Sequence, residues 1–213
     1  LNVLFDLDGT LTDPRDGIVR SVLYALERMG REREDGPDLD WLIGPPIQKS
    51  FPILLGTEDA SEVARAVGFF RERFSEVGLF ENAVYEGIPL ALSSLDGPLF
   101  VATSKPVVFA ERVLRHFELD GFFAGVYGSE LDGTRTAKAD VIGHLLACEG
   151  LSAEECVMVG DREHDAIGAR AHGMRCIGVL YGYGSREELL AAGVSGLCGS
   201  PGELVGVLAR FGA

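Results

Sequence analysis

Five short apolar runs punctuate the chain, and each ends in polar residues. Asn2 to Asp6 closes in acid and is followed by Asp8-Gly9-Thr10. Pro98 to Thr103 gives way to Ser104-Lys105-Pro106, and Phe122 to Tyr127 to Gly128-Ser129. Cys156 to Gly160 stops at Asp161, and Arg175 to Leu180 at Tyr181-Gly182. Uninterrupted runs of this length, bounded by turn residues, predict fully buried strands. Helical spacing fills the intervals: apolar residues at 90, 91, 92 and 95, at 109, 110, 113, 114 and 117, and at 141, 142, 145, 146 and 148, then a short Ala-rich stretch from His164 to His172. Strands alternating with helices predict an α/β fold, a parallel sheet covered by helices on both faces. Ligands of such sheets sit beyond the carboxyl ends of the strands. Asp6, Asp8, Thr103, Ser104, Asp161 and Asp165 cluster at those ends.

Residues 14–85 break this rhythm. They show no convincing strand. Ile18, Val22, Leu26 and Met29 form one helical stripe, and Val63, Val67, Phe70 and Phe74 form another. Arg31 to Asp40 is charged and reads as a loop. The expectation is a helical insertion, residues 14–85, in a core made of residues 1–13 and 86–213.

Composition is compatible with this picture and narrows it. The 213 residues are 46% hydrophobic and 24% charged, ordinary globular usage. That length suits one domain with an insertion. No apolar run approaches the ~18 residues of a transmembrane helix, and no basic segment followed by an apolar one predicts a secretory leader. Lys and Arg number 19 against 33 Asp and Glu, a net charge of −14. So acidic a chain has no general attraction for nucleic acid or anionic lipid. A small anionic substrate would need a local positive site. Cys148, Cys156, Cys176 and Cys198 form no C-x-x-C pair, and Cys156 and Cys176 fall in the strand-like runs. Such thiols suit a reducing cytoplasm.

Two acidic constellations could carry chemistry. In Asp6-Leu-Asp8-Gly9-Thr10, a turn beginning at Asp8 would let the first side chain and the second backbone carbonyl converge on one cation. Gly9 permits a sharp turn, and neighbouring N–H groups could cup an anion. A solvated Asx turn has the same pattern. An EF-hand does not: counted from Asp6, its glycine position holds Leu11 and its last ligand position Gly17. In Gly160-Asp161-Arg-Glu-His-Asp165, carboxylates four apart would share a face of a first helical turn. Acid there also simply complements the helix dipole. His164 would point elsewhere. Thr103 and Ser104 could hold a phosphate oxygen or cap a helix, and Lys138 opens a helical pattern. Gly182-Tyr-Gly184 begins like a dinucleotide fingerprint, but Glu187 stands where the third glycine belongs.

Together, in this order, these segments resemble the motifs of the haloacid dehalogenase superfamily of hydrolases. Asp6-Leu-Asp8-Gly9-Thr10 resembles the first motif, Thr103 the second, Lys138 the third, and Gly160-Asp161 with Asp165 the fourth. Thr103-Ser104-Lys105-Pro106 and Asp8-Gly9-Thr10-Leu11 look most like the phosphoglycolate phosphatase-like branch. The resemblance implies a Rossmann-like core with an inserted helical cap. It also implies Asp6 as nucleophile, forming an aspartyl-phosphate, and Asp8 as general acid and then base. Mg²⁺ would be held by Asp6, the Asp8 carbonyl and Asp161, with Asp165 binding it directly or through water. Gly9, Thr10, Thr103, Ser104 and Lys138 would hold phosphoryl oxygens.

The second Asp of the first motif favours phosphate chemistry over dehalogenation within the superfamily. The implied protein is a cytoplasmic phosphatase, monomer or homodimer, for a small phosphorylated metabolite such as phosphoglycolate or a nucleoside monophosphate. A phosphomutase resembling the β-phosphoglucomutase branch shares both aspartates. A non-catalytic binding module on the same fold is a further alternative. Trp41 to Lys49, between the two helical stripes, resembles the loop by which such caps reach the active site, and Lys49 could meet a second anionic group of the substrate.

Overall fold

A computed structural model describes residues 1–31 and 35–211. Residues 32–34, in the charged stretch read as a loop, lie outside the described residues. The chain divides into two compact units, Leu1–Asp13 with Val84–Ala213, and Pro14–Ala83.

The first unit is built on strands β1 (Asn2–Phe5), β4 (Leu99–Pro106), β5 (Gly125–Ser129), β6 (Cys156–Gly160), β7 (Arg175–Val179) and β8 (Gly196–Cys198). They form a parallel six-stranded sheet in the order β5-β4-β1-β6-β7-β8. Helices α4 (Ile88–Ser93), α5 (Val107–His116), α6 (Lys138–Glu149), α7 (Glu163–Arg170), α8 (Arg186–Ala192) and α9 (Leu204–Leu208) connect and follow the strands. Leu4, Phe100, Ala102 and Met158 pack with Val141, Ile142 and Leu145 of α6 and Ala166 and Ala169 of α7 in one buried cluster. The alternate strand residues Val3, Phe5, Val101, Val157 and Val159 are buried too. Burial of both sets is why the strands read as continuous apolar runs rather than as alternating ones.

Three departures from the sequence reading have local causes. The strand expected over Phe122 to Tyr127 begins later, at Gly125, because Asp120–Phe122 forms a 3₁₀ turn. Strand β4 runs past Thr103 to Pro106, through an irregularity in its pairing with β5. Strand β8 has only three residues, too few to show a pattern.

The second unit holds α1 (Arg15–Arg28), α2 (Ile47–Leu55) and α3 (Ala60–Arg73), with a 3₁₀ turn at Pro37–Leu42 and a π turn at Phe74–Gly78. Ile18, Val22 and Leu26 of α1 and Val67 and Phe70 of α3 are buried, the stripes expected from their spacing. Phe70 stacks on Phe74 at 4.9 Å and meets Phe51 of α2 edge-on at 6.3 Å. Asp59 caps α3 by accepting from the N–H groups of Ser61 and Glu62, which offsets two unpaired donors of its first turn. Part of the loop expected between the stripes is helical: Lys49 lies exposed in the first turn of α2, after Pro46. A proline just ahead of a helix sacrifices no helical hydrogen bond. Strands β2 (Thr12–Asp13) and β3 (Ala83–Val84) pair in a small ribbon where the chain passes from one unit to the other and back. The Tyr85 N–H donates to the Leu11 carbonyl at 3.2 Å. No helix among the described residues is long and apolar enough to cross a membrane.

Candidate active site

Strand β1 is central, with β4 on one side and β6 on the other. The chain builds outward from β1 to β4 and β5, then crosses back to β6. Beyond the carboxyl ends at that reversal lies the crevice where α/β sheets bind ligands. Asp6 follows β1 directly, its N–H donating to the Val159 carbonyl at 2.9 Å. The register sets Phe5 against Val101 and Val159, so Asp6, Thr103 and Asp161 emerge near one level.

The turn after β1 is tight. The Leu7 carbonyl accepts from the N–H groups of Thr10, Leu11 and Thr12, and the Gly9 N–H donates to the Thr12 carbonyl at 2.7 Å. The Leu7 N–H turns back to Asp6 Oδ1 at 2.8 Å. Gly9 has φ +84°, and a Cβ there would fall 2.2 Å from Asp161 Oδ2. Glycine therefore satisfies both the backbone and the space.

Asp161 and Asp165 do converge, but not as neighbours on a helix. Asp161 directly follows β6, while Asp165 is the third residue of α7 and exchanges backbone and side-chain hydrogen bonds with Arg162. One oxygen each of Asp6, Asp161 and Asp165 lies within 4.8 Å of the others, and all three residues are buried. His164 is exposed.

Lys138, the first residue of α6, is buried among them. Its Nζ is 2.8 Å from Asp6 Oδ1, 2.8 Å from Asp165 Oδ1 and 2.9 Å from the Ala102 carbonyl. Burial pulls this ammonium down, but Asp165 and Asp6 outweigh it and hold Lys138 above the ordinary lysine value. Burial raises Asp165 against the pull of Lys138. Among the described residues, Asp161 takes hydrogen bonds from two neutral groups, the Thr10 hydroxyl at 3.3 Å and the Tyr183 N–H at 2.8 Å. Burial pushes it well above the usual carboxylate range, and Asp165 and Asp6 add to the rise.

Thr103 is buried, and its Oγ1 accepts weakly from the Lys105 N–H at 3.3 Å. The Ser104 side chain is half-buried, and its carbonyl accepts from Ser129. Two residues that the sequence reading did not assign also belong here. Lys105 Nζ lies 2.8 and 2.7 Å from the two oxygens of Asp8. Tyr183, in the segment resembling a dinucleotide fingerprint, gives its N–H to Asp161 and its hydroxyl to Asp13. The signal for Lys105 is its place among the polar residues that stop the β4 apolar run, directly after Thr103 and Ser104. Lys49 belongs to the second unit.

The donors suit a hard divalent cation. Four carboxylates (Asp6, Asp8, Asp161 and Asp165) meet two ammonium groups (Lys105 and Lys138), a formal balance of −2. A buried carboxylate that no cation meets in an ion pair among the described residues, as at Asp161, is expensive. Mg²⁺ takes carboxylate and carbonyl oxygens in such settings.

The parallel α/β core thus carries, at the end of its central strand, a buried aspartate with a lysine against it and two further buried aspartates alongside. The chain belongs to the haloacid dehalogenase-like hydrolase family, whose model matches residues 3–179. It is 54% identical over 193 residues to a 5'-nucleotidase of Pseudomonas aeruginosa, covering 89% of this chain and 87% of that one. It is 40% identical over 188 residues to a protein of Mycobacterium tuberculosis named tyrosine-protein kinase PtkA, covering 87% of this chain and 64% of that one. A predicted phosphatase from Clostridium acetobutylicum superposes with a TM-score of 0.93 at 42% identity, over 98% of both chains.

Proposed function

We propose that the chain is a Mg²⁺-dependent phosphatase for a small phosphate monoester, working through an aspartyl-phosphate on Asp6. The observation that carries this is the buried Asp6 carboxylate at the end of β1, held by Lys138 and facing Asp161 and Asp165. Asp6 attacks phosphorus, the bond to the ester oxygen breaks, and the Asp8 carboxyl gives its proton to the departing oxygen. Water then attacks phosphorus, Asp8 takes its proton, and the bond to Asp6 breaks to release inorganic phosphate. Thr10, Thr103, Ser104, Lys138 and the N–H groups around Gly9 hold the phosphoryl oxygens. Phosphoryl transfer needs mainly such positioning and charge neutralisation. Asp6, the Asp8 carbonyl, Asp161 and Asp165 would hold Mg²⁺, which offsets charge on the phosphoryl group when bound. The second unit acts as a cap that chooses the substrate, with Lys49 and its neighbours as selectors. Phosphoglycolate and nucleoside monophosphates are the substrate classes, and the relative named 5'-nucleotidase supports the second.

A second reading, transfer of the phosphoryl group to a hydroxyl acceptor instead of water, has one observation behind it, the 40% identity with the protein named tyrosine-protein kinase PtkA. Purified protein incubated with Mg²⁺ and a panel of phosphate monoesters decides between them. Free phosphate as product supports hydrolysis. A phosphorylated acceptor or an isomerised sugar phosphate selects transfer, and turnover of no ester in the panel refutes the phosphatase reading.

A further inference from the structure

Lys105 is 8% exposed, and its ammonium sits on the end of the Asp8 carboxylate, at 2.8 and 2.7 Å from the two oxygens. The Asp8 backbone is fixed by the turn and by its bridge with Thr12. Its carboxylate takes hydrogen bonds from Lys105 alone among the described residues. The irregularity in β4 places Lys105 there. Ala102 pairs with Tyr127 and Pro106 with Ser129, so residues 103–105 stand opposite Gly128 alone. A Cβ on Gly128 would fall 2.5 Å from the Lys105 carbonyl, and the Ser129 hydroxyl donates to the Ser104 carbonyl at 2.9 Å. The bulged segment is thus held from the β5 side by contacts that leave its Lys105 side chain on Asp8. Bulges re-aim side chains in this way.

Stability is a weak reason for such a pair, since buried ion pairs roughly break even against apolar side chains of the same volume. Its geometry does give one specific result. An ammonium bridging both oxygens fixes the direction of a carboxylate that no other described residue hydrogen-bonds. We propose that Lys105 is the positioning residue for Asp8, holding its carboxylate where it exchanges protons with the leaving oxygen and then with water. This rests on the function proposed above. It adds that proton transfer by Asp8 depends on a residue two places beyond Thr103.

The consequence differs between esters. An alkyl phosphate leaves as a strongly basic alkoxide and needs the proton from Asp8 in the first step. p-Nitrophenyl phosphate leaves as a weakly basic phenolate and does not. Both need Asp8 to activate water in the second step. For an ester that passes through a covalent intermediate, kcat/KM reports only steps up to the first irreversible one, while kcat includes the second.

In Lys105→Met, kcat/KM for p-nitrophenyl phosphate should stay within about threefold of wild type while kcat falls about a hundredfold, the scale of loss for a catalytic group misplaced by about 1 Å. KM then falls with kcat. For an alkyl phosphate, kcat/KM should itself fall at least tenfold. Lys105→Arg, whose guanidinium also reaches two carboxylate oxygens, should recover most of the loss. Lys105→Gln keeps a donor and similar volume, and should show the same split at smaller size if Lys105→Met does not fold. Equal losses of kcat/KM for both esters, or no loss in either variant, would overturn the assignment. A wild-type protein that turns over neither ester would overturn the functional reading itself, and is recognised without any variant.

Discussion

A methyl group on Gly160 would stand 2.2 Å from Cγ of Asp165. The Asp165 side chain is buried and tied to the Arg162 N–H and to Lys138, so it cannot swing aside at little cost. Gly160→Ala should displace this carboxylate and cost about 1–3 kcal/mol of stability by overpacking. Mg²⁺ affinity should fall at least about tenfold, or ~1.4 kcal/mol. Titration calorimetry and denaturant unfolding measure both. Unchanged Mg²⁺ binding would remove Asp165 from the proposed metal set.

Asp6→Asn should abolish turnover while the fold survives. Asn keeps the size and a carbonyl acceptor for the Leu7 N–H, but an amide is no nucleophile. Steady-state kinetics on a responsive ester checks this. Activity above about a tenth of wild type, only ~1.4 kcal/mol of barrier, would exclude Asp6 from the covalent step.

Chelator should stop turnover and Mg²⁺ should restore it. Asp161→Ala should raise the Mg²⁺ requirement strongly or abolish activity, because Asp161 is fully buried and its hydrogen bonds come from neutral groups among the described residues. Asp165→Ala should do less if it binds through water. Mg²⁺ dependence of the rate for each variant is the measurement, and full activity in chelator would refute a metal role.

Lys138→Met should destabilise the protein by about 3–5 kcal/mol, the cost of leaving buried charges without their partner. Asp6 and Asp165 both lose a cation at 2.8 Å. Added Mg²⁺ should recover part of this loss by supplying positive charge to the same carboxylates. Urea unfolding with and without Mg²⁺ reads the effect, and a variant as stable as wild type would show that these ion pairs contribute nothing net.

Much of the site was legible because buried parallel strands announce themselves as apolar runs, and the residue that stops each run sits where ligands bind. Asp6 and Asp161 are such residues. Lys105 is not, because Pro106 and the polar residues before it suggest that the strand has ended. Local pattern cannot reveal an irregularity in the pairing with a strand more than twenty residues away, where Gly128 and Ser129 lie opposite. Tyr183 stands in a segment that begins like a motif for another ligand. Its tie to Asp161 runs through the backbone N–H, which no side-chain identity advertises. Helix α2 carries Pro52 and follows Pro45 and Pro46, residues that argue against a helix unless its start is known.

Substitutions at Pro45, Pro46 and Lys49 should change which phosphate ester is preferred while leaving turnover of a small activated ester largely intact. The grounds are that Lys49 is exposed in the first turn of α2 and that these residues resemble a substrate-selecting cap loop. Relative kcat/KM across an ester panel tests this, and an unchanged ranking would show that selection lies elsewhere.

Strands β2 and β3 lie side by side, with Leu11 and Tyr85 hydrogen-bonded just beside them. A chain that departs and returns through adjacent strands makes everything between them a cassette. The 70 residues from Pro14 to Ala83 leave and rejoin the chain at these adjacent strands. Excision there would cut no strand of the main sheet and strand no residue of the acid cluster. The same architecture lets one hydrolytic core be refitted with different inserts, as domain insertion at closely spaced surface points generally allows.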